Sequence, residues 1–471
     1  MTHKLYSLAA CAAALLAAMP AAAQTATAQT ATAQTTVSPD FKILPYTEDY
    51  SRLADPELRK GLWEKLKYIP LTDSAYVTLG GELRPRIEQR ENWGYGRGTE
   101  DHGTDFQLRT RLWADVHLSS ATRAFVELRY SPVEGQEEAA LNAVDENGTE
   151  VHQAFVELTK STAGGKIAVR AGRQEILFGK ARVFDIREPT NTRRAFDAVR
   201  IMGEANGWRF GVLGGSNLRE SRGSFNDSTN DNWSFVAAHV SHKLGSFAPG
   251  SEFEILFIDT NRNTAPVTAY RARRQTLSTR VYGREQRWEY DTEVVFQTGE
   301  TDDRRDIRAW YVATDTAYQL DGKWKPKIGV RADIASGDTN ASDNKAQGYD
   351  PLWPRGLSFV NDIGYANITA VGPTFAIRPT AKLSLDTSLI GLWRTTTKDG
   401  VYTLSGASLR SASEGRSRQV GTRITLRGEY KVNPFVTTGF YVNRTFAGDF
   451  LKETNASKDL LYMNLYTTFR F

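Results

Sequence analysis

Eighteen segments with a period of two follow one another from residue 75 to residue 471, and the connections between them alternate between short and long. No other feature limits the possible folds as much. The segments span about 75–90, 106–118, 123–130, 151–159, 166–173, 196–202, 208–215, 233–242 and 252–259 in the first half. The second half adds 274–283, 288–298, 307–319, 326–336, 366–378, 382–394, 417–430, 435–445 and 460–471. Apolar and polar side chains alternate within them, as in a strand with one dry and one wet face. The turns at 119–122, 203–207, 284–287, 321–325, 379–381 and 431–434 are short, whereas 91–105, 131–150, 216–232, 337–365 and 395–416 are long and polar. A soluble sandwich has no reason to alternate its loops this way, but a barrel crossing a membrane keeps short turns on one side and long loops on the other. The expected fold is therefore all-β: a transmembrane antiparallel β-barrel of eighteen strands, of the bacterial outer-membrane type. Barrels of that strand number enclose an aqueous channel.

The two ends agree with this. His3 and Lys4 precede an apolar run over 5–19, and Ala21, Ala22 and Ala23 offer small residues for cleavage, so 1–23 reads as a secretory signal peptide. Cys11 lies inside that run with too little hydrophobic sequence before it for a lipoprotein box, and without it the chain has neither a disulfide nor a thiolate metal site. Residues 24–39 form a low-complexity leader expected to be disordered. A periplasmic N-terminal segment over 40–73 then precedes the barrel, 74–471. In that segment Asp55 can cap a helix, Pro56 fits its first turn, and Leu58, Leu62, Leu66 and Ile69 follow at helical spacing. The short amphipathic helix this predicts is expected to pack against the barrel floor in preference to plugging the pore. At the other end Leu461, Met463, Leu465, Thr467, Phe469 and Phe471 share one face of a strand. This ending resembles the C-terminal signal of outer-membrane proteins, which implies that barrel-assembly machinery reads Phe471. No window approaches the 18 or so apolar residues of a spanning helix, and mean hydropathy is −0.45. The expected location is the outer membrane of a Gram-negative cell, in contact with its lipid, with both termini periplasmic.

Alternation also sorts side chains between lipid and lumen. In the first strand Val77, Leu79, Leu83 and Ile87 face out while Glu82, Arg84, Arg86 and Glu88 face in. The second turns Arg109, Arg111 and Asp115 inward, and the third Arg123, Glu127 and Arg129. Glu157, Arg170, Arg331, Asp333, Arg423, Arg427 and Arg470 point inward on the same reading. Closing the barrel brings Arg423, Arg427 and Arg470 beside Arg84, Arg86, Arg109, Arg111 and Arg129, opposite Glu289, Asp291 and Glu293. Guanidinium forks match carboxylates, so a basic wall in a narrowed bore favours acidic solutes. The same residues could instead form a self-satisfied ion-pair network that stiffens the barrel, and the two roles are compatible.

The densest local motif is Gly172-Arg173-Gln174-Glu175, then Gly179 and Arg182, then Arg193, Phe196 and Asp197. Here the chain resembles the alginate export family of outer-membrane porins, as do the opening Leu79-Gly80-Gly81-Glu82-Leu83-Arg84-Pro85-Arg86 and the approach through residues 66–71. The resemblance covers residues 40–471 and implies an eighteen-stranded monomeric barrel through which an acidic polysaccharide, alginate, diffuses. No turn on the short side is long enough to be a lower plug, so gating falls to folded-in loops or to the 40–73 segment. Small organic anions are the alternative cargo, and a barrel enzyme or adhesin the distant one.

Catalysis has little to rest on. Gly-x-Ser-x-Gly and phosphate loops are absent, and the six histidines are scattered. His239 and His242 lie three apart on a strand, hence on opposite faces, and do not make a metal pair. Residues 338–342 alternate oxygen donors but lack the glycine and terminal acid of a calcium loop. No cofactor, metal or nucleic-acid partner is expected, since alternation places the arginines inside the barrel.

Overall fold

A strand that is apolar at every second position must present that face to something dry, and eighteen of them solve the problem together by closing on themselves. The computed structural model describes residues 38–97, 102–136, 144–263, 271–355, 362–455 and 457–471. The expected signal peptide and most of the expected leader lie outside the described residues. The wall begins with β1 (Tyr76–Glu91), β2 (His102–His117), β3 (Thr122–Ser131), β4 (Asn147–Thr162), β5 (Gly165–Gln174) and β6 (Phe196–Ala205). It continues with β7 (Trp208–Arg219), β8 (Ser228–Lys243), β9 (Ser251–Arg262), β10 (Ala272–Glu285), β11 (Trp288–Thr301) and β12 (Asp306–Gln319). It ends with β13 (Lys327–Ala335), β14 (Ile368–Ile377), β15 (Leu383–Arg394), β16 (Gln419–Asn433), β17 (Val436–Ala447) and β18 (Leu460–Arg470).

Each strand pairs antiparallel with the next, as β1 does with β2 and β17 with β18. β18 then returns to β1, from Glu82↔Arg470 to Glu91↔Leu461, so that among the described residues the eighteen-stranded wall has no free edge. The barrel is closed. At the seam the register runs Leu83↔Phe469 and resumes at Arg86↔Tyr466. Pro85, which has no N–H to donate, lies in that interval.

Leu83, Ile87, Leu112, Val126, Val156, Val199, Val212 and Val236 are exposed on the outer face. An apolar belt of this extent is untenable in water and fits hydrocarbon. The strands run farther toward the loop end than the apolar alternation shows, because polar residues extend the ladders above the belt. The connection from β7 to β8 therefore shrinks to residues 220–227, and that from β11 to β12 to 302–305, so loop lengths do not alternate at every step.

Before the wall, Asp55 does cap, accepting from the Glu57 N–H at 2.9 Å, but it caps only a single 3-10 turn, Pro56–Leu58. Gly61 interrupts, since glycine in a helix interior costs about 1 kcal/mol, and α1 (Leu62–Lys67) starts after it. Leu62 is 75% exposed, so the apolar stripe read from the spacing is only partly buried. Lys67 is buried at the seam, donating to the main-chain oxygens of Leu79 (2.9 Å) and Phe471 (2.8 Å) among the rings of Phe41, Tyr50 and Trp113. Burial pushes its amine down to about 8. A second short helix, α2 (Asp449–Glu453), lies in the loop between β17 and β18.

Candidate functional site

Arginines withdrawn from water must find acceptors, because an unpaired buried charge costs several kcal/mol. On β1 to β4 many of the acceptors come from the connection between β5 and β6, residues 175–195, which folds into the bore, and the rest from neighbouring strands and loops. The motif at its ends explains how. Gly172 has φ +131, and a Cβ there would lie 2.2 Å from the Ala154 carbonyl oxygen, so only glycine permits this approach of β5 to β4. Arg173 Nε donates to Asp197 Oδ1 at 2.9 Å, and Gln174 donates to the Ala198 carbonyl at 2.9 Å, so the two ends of the connection are clasped together. Arg193 donates to Glu175 Oε2 at 2.8 Å just inside.

The inner segment then lies along the arginines. Arg109 donates to the Glu188 carbonyl (2.9 Å) and carboxylate (2.7 Å), and from Nε to Glu82 (2.8 Å). Arg84 donates to the carbonyls of Glu188 and Thr190, and Arg86 to that of Pro189. Arg111 forms a bidentate pair with Glu127 (2.7 and 2.8 Å), and Arg129 pairs with Asp227 at 3.1 Å. Burial would raise the Glu188 carboxyl, but Arg109 and Arg193 outweigh it and hold the group well below the usual carboxylate range. Burial prevails at Glu175, which is raised despite Arg193 and Arg111.

Across the bore the segment is moored again. Arg182 donates to Asp291 (2.7 Å), Glu293 (3.1 Å) and Asp315 (3.2 Å) on β11 and β12. A second loop, from β13 to β14, meets it there: Trp353 N–H donates to the Val183 carbonyl (3.1 Å), and Asp185 N–H to the Trp353 carbonyl (2.7 Å). Trp353 is fully buried, 4.3 Å from the Phe184 ring centre and 5.4 Å from that of Phe196, so an aromatic core stands inside the lumen. From the turn end Tyr46 enters between Phe125 and Phe155 and donates to the Glu175 carbonyl at 2.8 Å. Arg193 binds the Ile43 carbonyl at 2.8 Å, so the N-terminal segment also reaches the inner segment.

Among the described residues two cavities of about 1200 Å³ each lie open in the bore, one toward the turn end and one toward the loop end. Arg86, Pro189 and Arg355 line both and mark the junction. Arg355 donates to Asp185 at 3.1 Å and keeps 41% of its side chain exposed. Among the described lining residues the turn-end cavity has eleven basic and eight acidic groups, the loop-end cavity nine and six. Both are basic on balance.

Of the residues read as lumen-lining, Arg84, Arg86, Arg331, Arg423, Arg427 and Arg470 border the turn-end cavity. Arg109, Arg111, Arg129, Arg170, Glu82, Glu157 and Asp197 border neither of the two cavities. Arg170 is held by Glu157 at 2.6 Å, and Arg470 by Glu82 at 2.9 Å. Of the motif residues, Arg173, Gln174, Glu175, Arg193 and Asp197 are brought together at the root of the inner segment, whereas Arg182 lies across the bore against Asp291 and Gly179 lies beside Glu254 and Arg280. Sequence reasoning missed Arg355, Trp353 and Tyr46. The signal for the first two is Pro351-Leu352-Trp353-Pro354, an apolar, proline-dense patch inside a polar loop.

Glu127, His152 and Glu175 offer three ligand atoms within 4.8 Å of one another. Arg111, Arg129 and Arg193 already occupy or adjoin all three, and so much positive charge opposes a cation; the cluster is better suited to anchoring the inner segment. His239 meets Glu254 at 3.1 Å while His242 stacks on Trp208, on the other face of β8. In 338–342, Asp338 and Asn340 side chains accept backbone N–H groups of Asn340 and Ser342, as ordinary turn residues do.

The fold is similar to that of a BenF-like porin from Pseudomonas fluorescens Pf-5, with 11% identity, 84% of this chain and 99% of that chain covered, and a TM-score of 0.56. It is also similar to OccK9 (OpdG) of Pseudomonas aeruginosa, with 10% identity, coverage of 84% and 98%, and a TM-score of 0.56. For OpdK of the same organism the values are 9%, 84% and 98%, and 0.54. At such identities the likeness is one of fold. Among curated proteins none matches the sequence. A family model described as alginate export matches residues 75–460.

Proposed function

The chain belongs to the alginate export family and forms an outer-membrane channel, and from that premise we propose that its lumen passes acidic solutes passively, with alginate or a similar acidic polysaccharide as cargo. The observation that carries this reading is the junction, where Arg86 and Arg355 border both cavities. A carboxylate arriving there meets two guanidiniums in a bore narrowed by protein, where the attraction is stronger than in bulk water. Asp185 and Glu88, which pair with these arginines, keep the hold weak enough for release. The short turns and both termini face the periplasm, the long loops face outward, and the barrel works as a monomer without catalysis.

A second reading, uptake of small acidic nutrients, is favoured by the division of the bore into two compartments. OpdK, which shares the fold, has a structure determined with vanillate. Planar-bilayer recordings test both. Anion preference that falls several-fold in Arg86→Gln with Arg355→Gln supports the proposal, and cation preference in the unaltered barrel overturns it. Block by polyuronate but not by small acids selects the first cargo.

A further inference from the structure

The loop-end cavity holds cations that neither the inner segment nor the junction uses. We propose that Arg262 and Arg274, with Tyr349 and Trp233, form a subsite that receives the carboxylate of an acidic solute before it reaches the junction. This rests on the reading of the pore as a path for acids.

The subsite is under-neutralised by construction. Arg262 ends β9 and Arg274 lies on the adjoining β10, where the register Thr260↔Arg274 and Arg262↔Ala272 places them side by side. One carboxylate, Asp350, serves both, at 3.7 Å from Arg262 Nη1 and 4.0 Å from Arg274 Nε, beyond hydrogen-bond distance for each. Asp350 is held back. Its Oδ1 accepts the Leu352 N–H at 3.0 Å, its N–H donates to Gln297 Oε1 at 3.0 Å, and its carbonyl accepts from Gln297 Nε2 at 2.6 Å. Arg274 has one neutral partner, Gln297 Oε1 at 2.9 Å. The Arg262 guanidinium lies 3.8 Å from the Trp233 ring centre, and that indole stacks in turn on Trp353 at 5.3 Å, so the cation rests on a rigid aromatic floor.

Two uncharged donors complete the set. Tyr349 is 2% exposed and stacks on Tyr311 at 5.0 Å, and its hydroxyl has no partner among the described residues. The Trp233 indole N–H has none either. These four residues and Asp350 line the loop-end cavity. Native proteins leave few buried donors unsatisfied, and two beside a surplus positive charge call for one acceptor-rich anion. A carboxylate has the planar pair of oxygens that an arginine fork grips, with lone pairs left for the hydroxyl and the indole. A neutral sugar would leave the charge uncompensated, and a cation would be repelled.

The test is block of single-channel current by acids added on the loop-end side of the full-length barrel, using a uronate tetrasaccharide and benzoate as probes. Arg262→Gln and Arg274→Gln are each expected to weaken block about tenfold, the worth of one charge-assisted hydrogen bond. Tyr349→Phe, which removes no hydrogen bond among the described residues, is expected to weaken it about threefold. A purely structural tyrosine would show no such loss. Weakening for both probes assigns the subsite to carboxylates in general, and weakening for the tetrasaccharide alone assigns it to the polymer. Unchanged block in all three variants overturns the subsite. Anion preference of the unaltered barrel is read in the same recordings, so failure of the pore reading is seen separately from failure of the subsite.

Discussion

On the β1 to β4 side of the bore the arginines are buried against protein, although Arg84 and Arg86 also border a cavity, and on the β13 to β18 side several are partly exposed to it. Arg109 and Arg111 have 0% and 1% of their side chains exposed, while Arg331 and Arg427 have 31% and 47%. The strand pattern is the same on both sides. The difference is that residues 175–195 lie over one wall and not the other. Where the inner segment covers the wall, each guanidinium must be matched by an acceptor, and the arginines become moorings. Where it does not, water keeps the charge affordable and the arginines border the path.

The largest effect is expected from breaking a mooring. Arg193→Ala leaves Glu175 buried without its main partner, a loss of about 3–5 kcal/mol for a broken buried pair, so the inner segment should release and conductance rise several-fold. Unchanged conductance would show that the segment is held without this pair. Next in size is Arg182→Gln, which frees the far end and uncovers Asp291, Glu293 and Asp315. Noisier current and a larger cation permeability are expected, and an unaltered reversal potential would contradict the bridging role. Arg427→Gln, on the open side, should lower anion preference modestly while conductance stays within about twofold, because a half-exposed charge interacts weakly. A jump in conductance like that of Arg193→Ala would erase the distinction between the walls.

The smallest effect lies outside the bore, where Glu414 accepts from Arg97 of another loop. These hydrogen bonds hold its carboxyl at about 2, below the ordinary 4.5. Since the folded value is the lower one, the contact is fully present above pH 4.5 and is lost as pH falls through about 2. Its worth is no more than about 1 kcal/mol because both groups are partly exposed. An NMR titration of Glu414 should show a midpoint near 2 that moves toward 4.5 in Arg97→Gln; a midpoint near 4.5 in the unaltered chain would refute the pair.

Strand number and strand order were legible in the sequence because a strand's two faces are set by a period of two, a local property that survives without knowledge of neighbours; Arg262, Arg274 and Arg280, which the same period could have placed, were not singled out. Val77 and Leu79 could be set against Glu82 and Arg84 from spacing alone. The Gly172 to Asp197 motif was visible as a dense cluster, but that Arg173, Gln174, Glu175, Arg193 and Asp197 clasp the root of a segment folded into the bore while Arg182 moors its far side could not be read from their spacing. Arg355 lies in a loop with no period at all. Tyr46 lies in a segment whose apolar stripe pointed to the helix after it.

The sequence by itself thus determined the wall and its closure, since these follow from alternation and strand count. The tertiary structure alone decided which inward arginines are moorings and which border the path. That choice depends on long-range contacts such as Arg182 with Asp291 and Trp353 with Val183, and on the desolvation those contacts impose. Burial converts a charge from a free group into one that must be paired, and burial belongs to the folded chain.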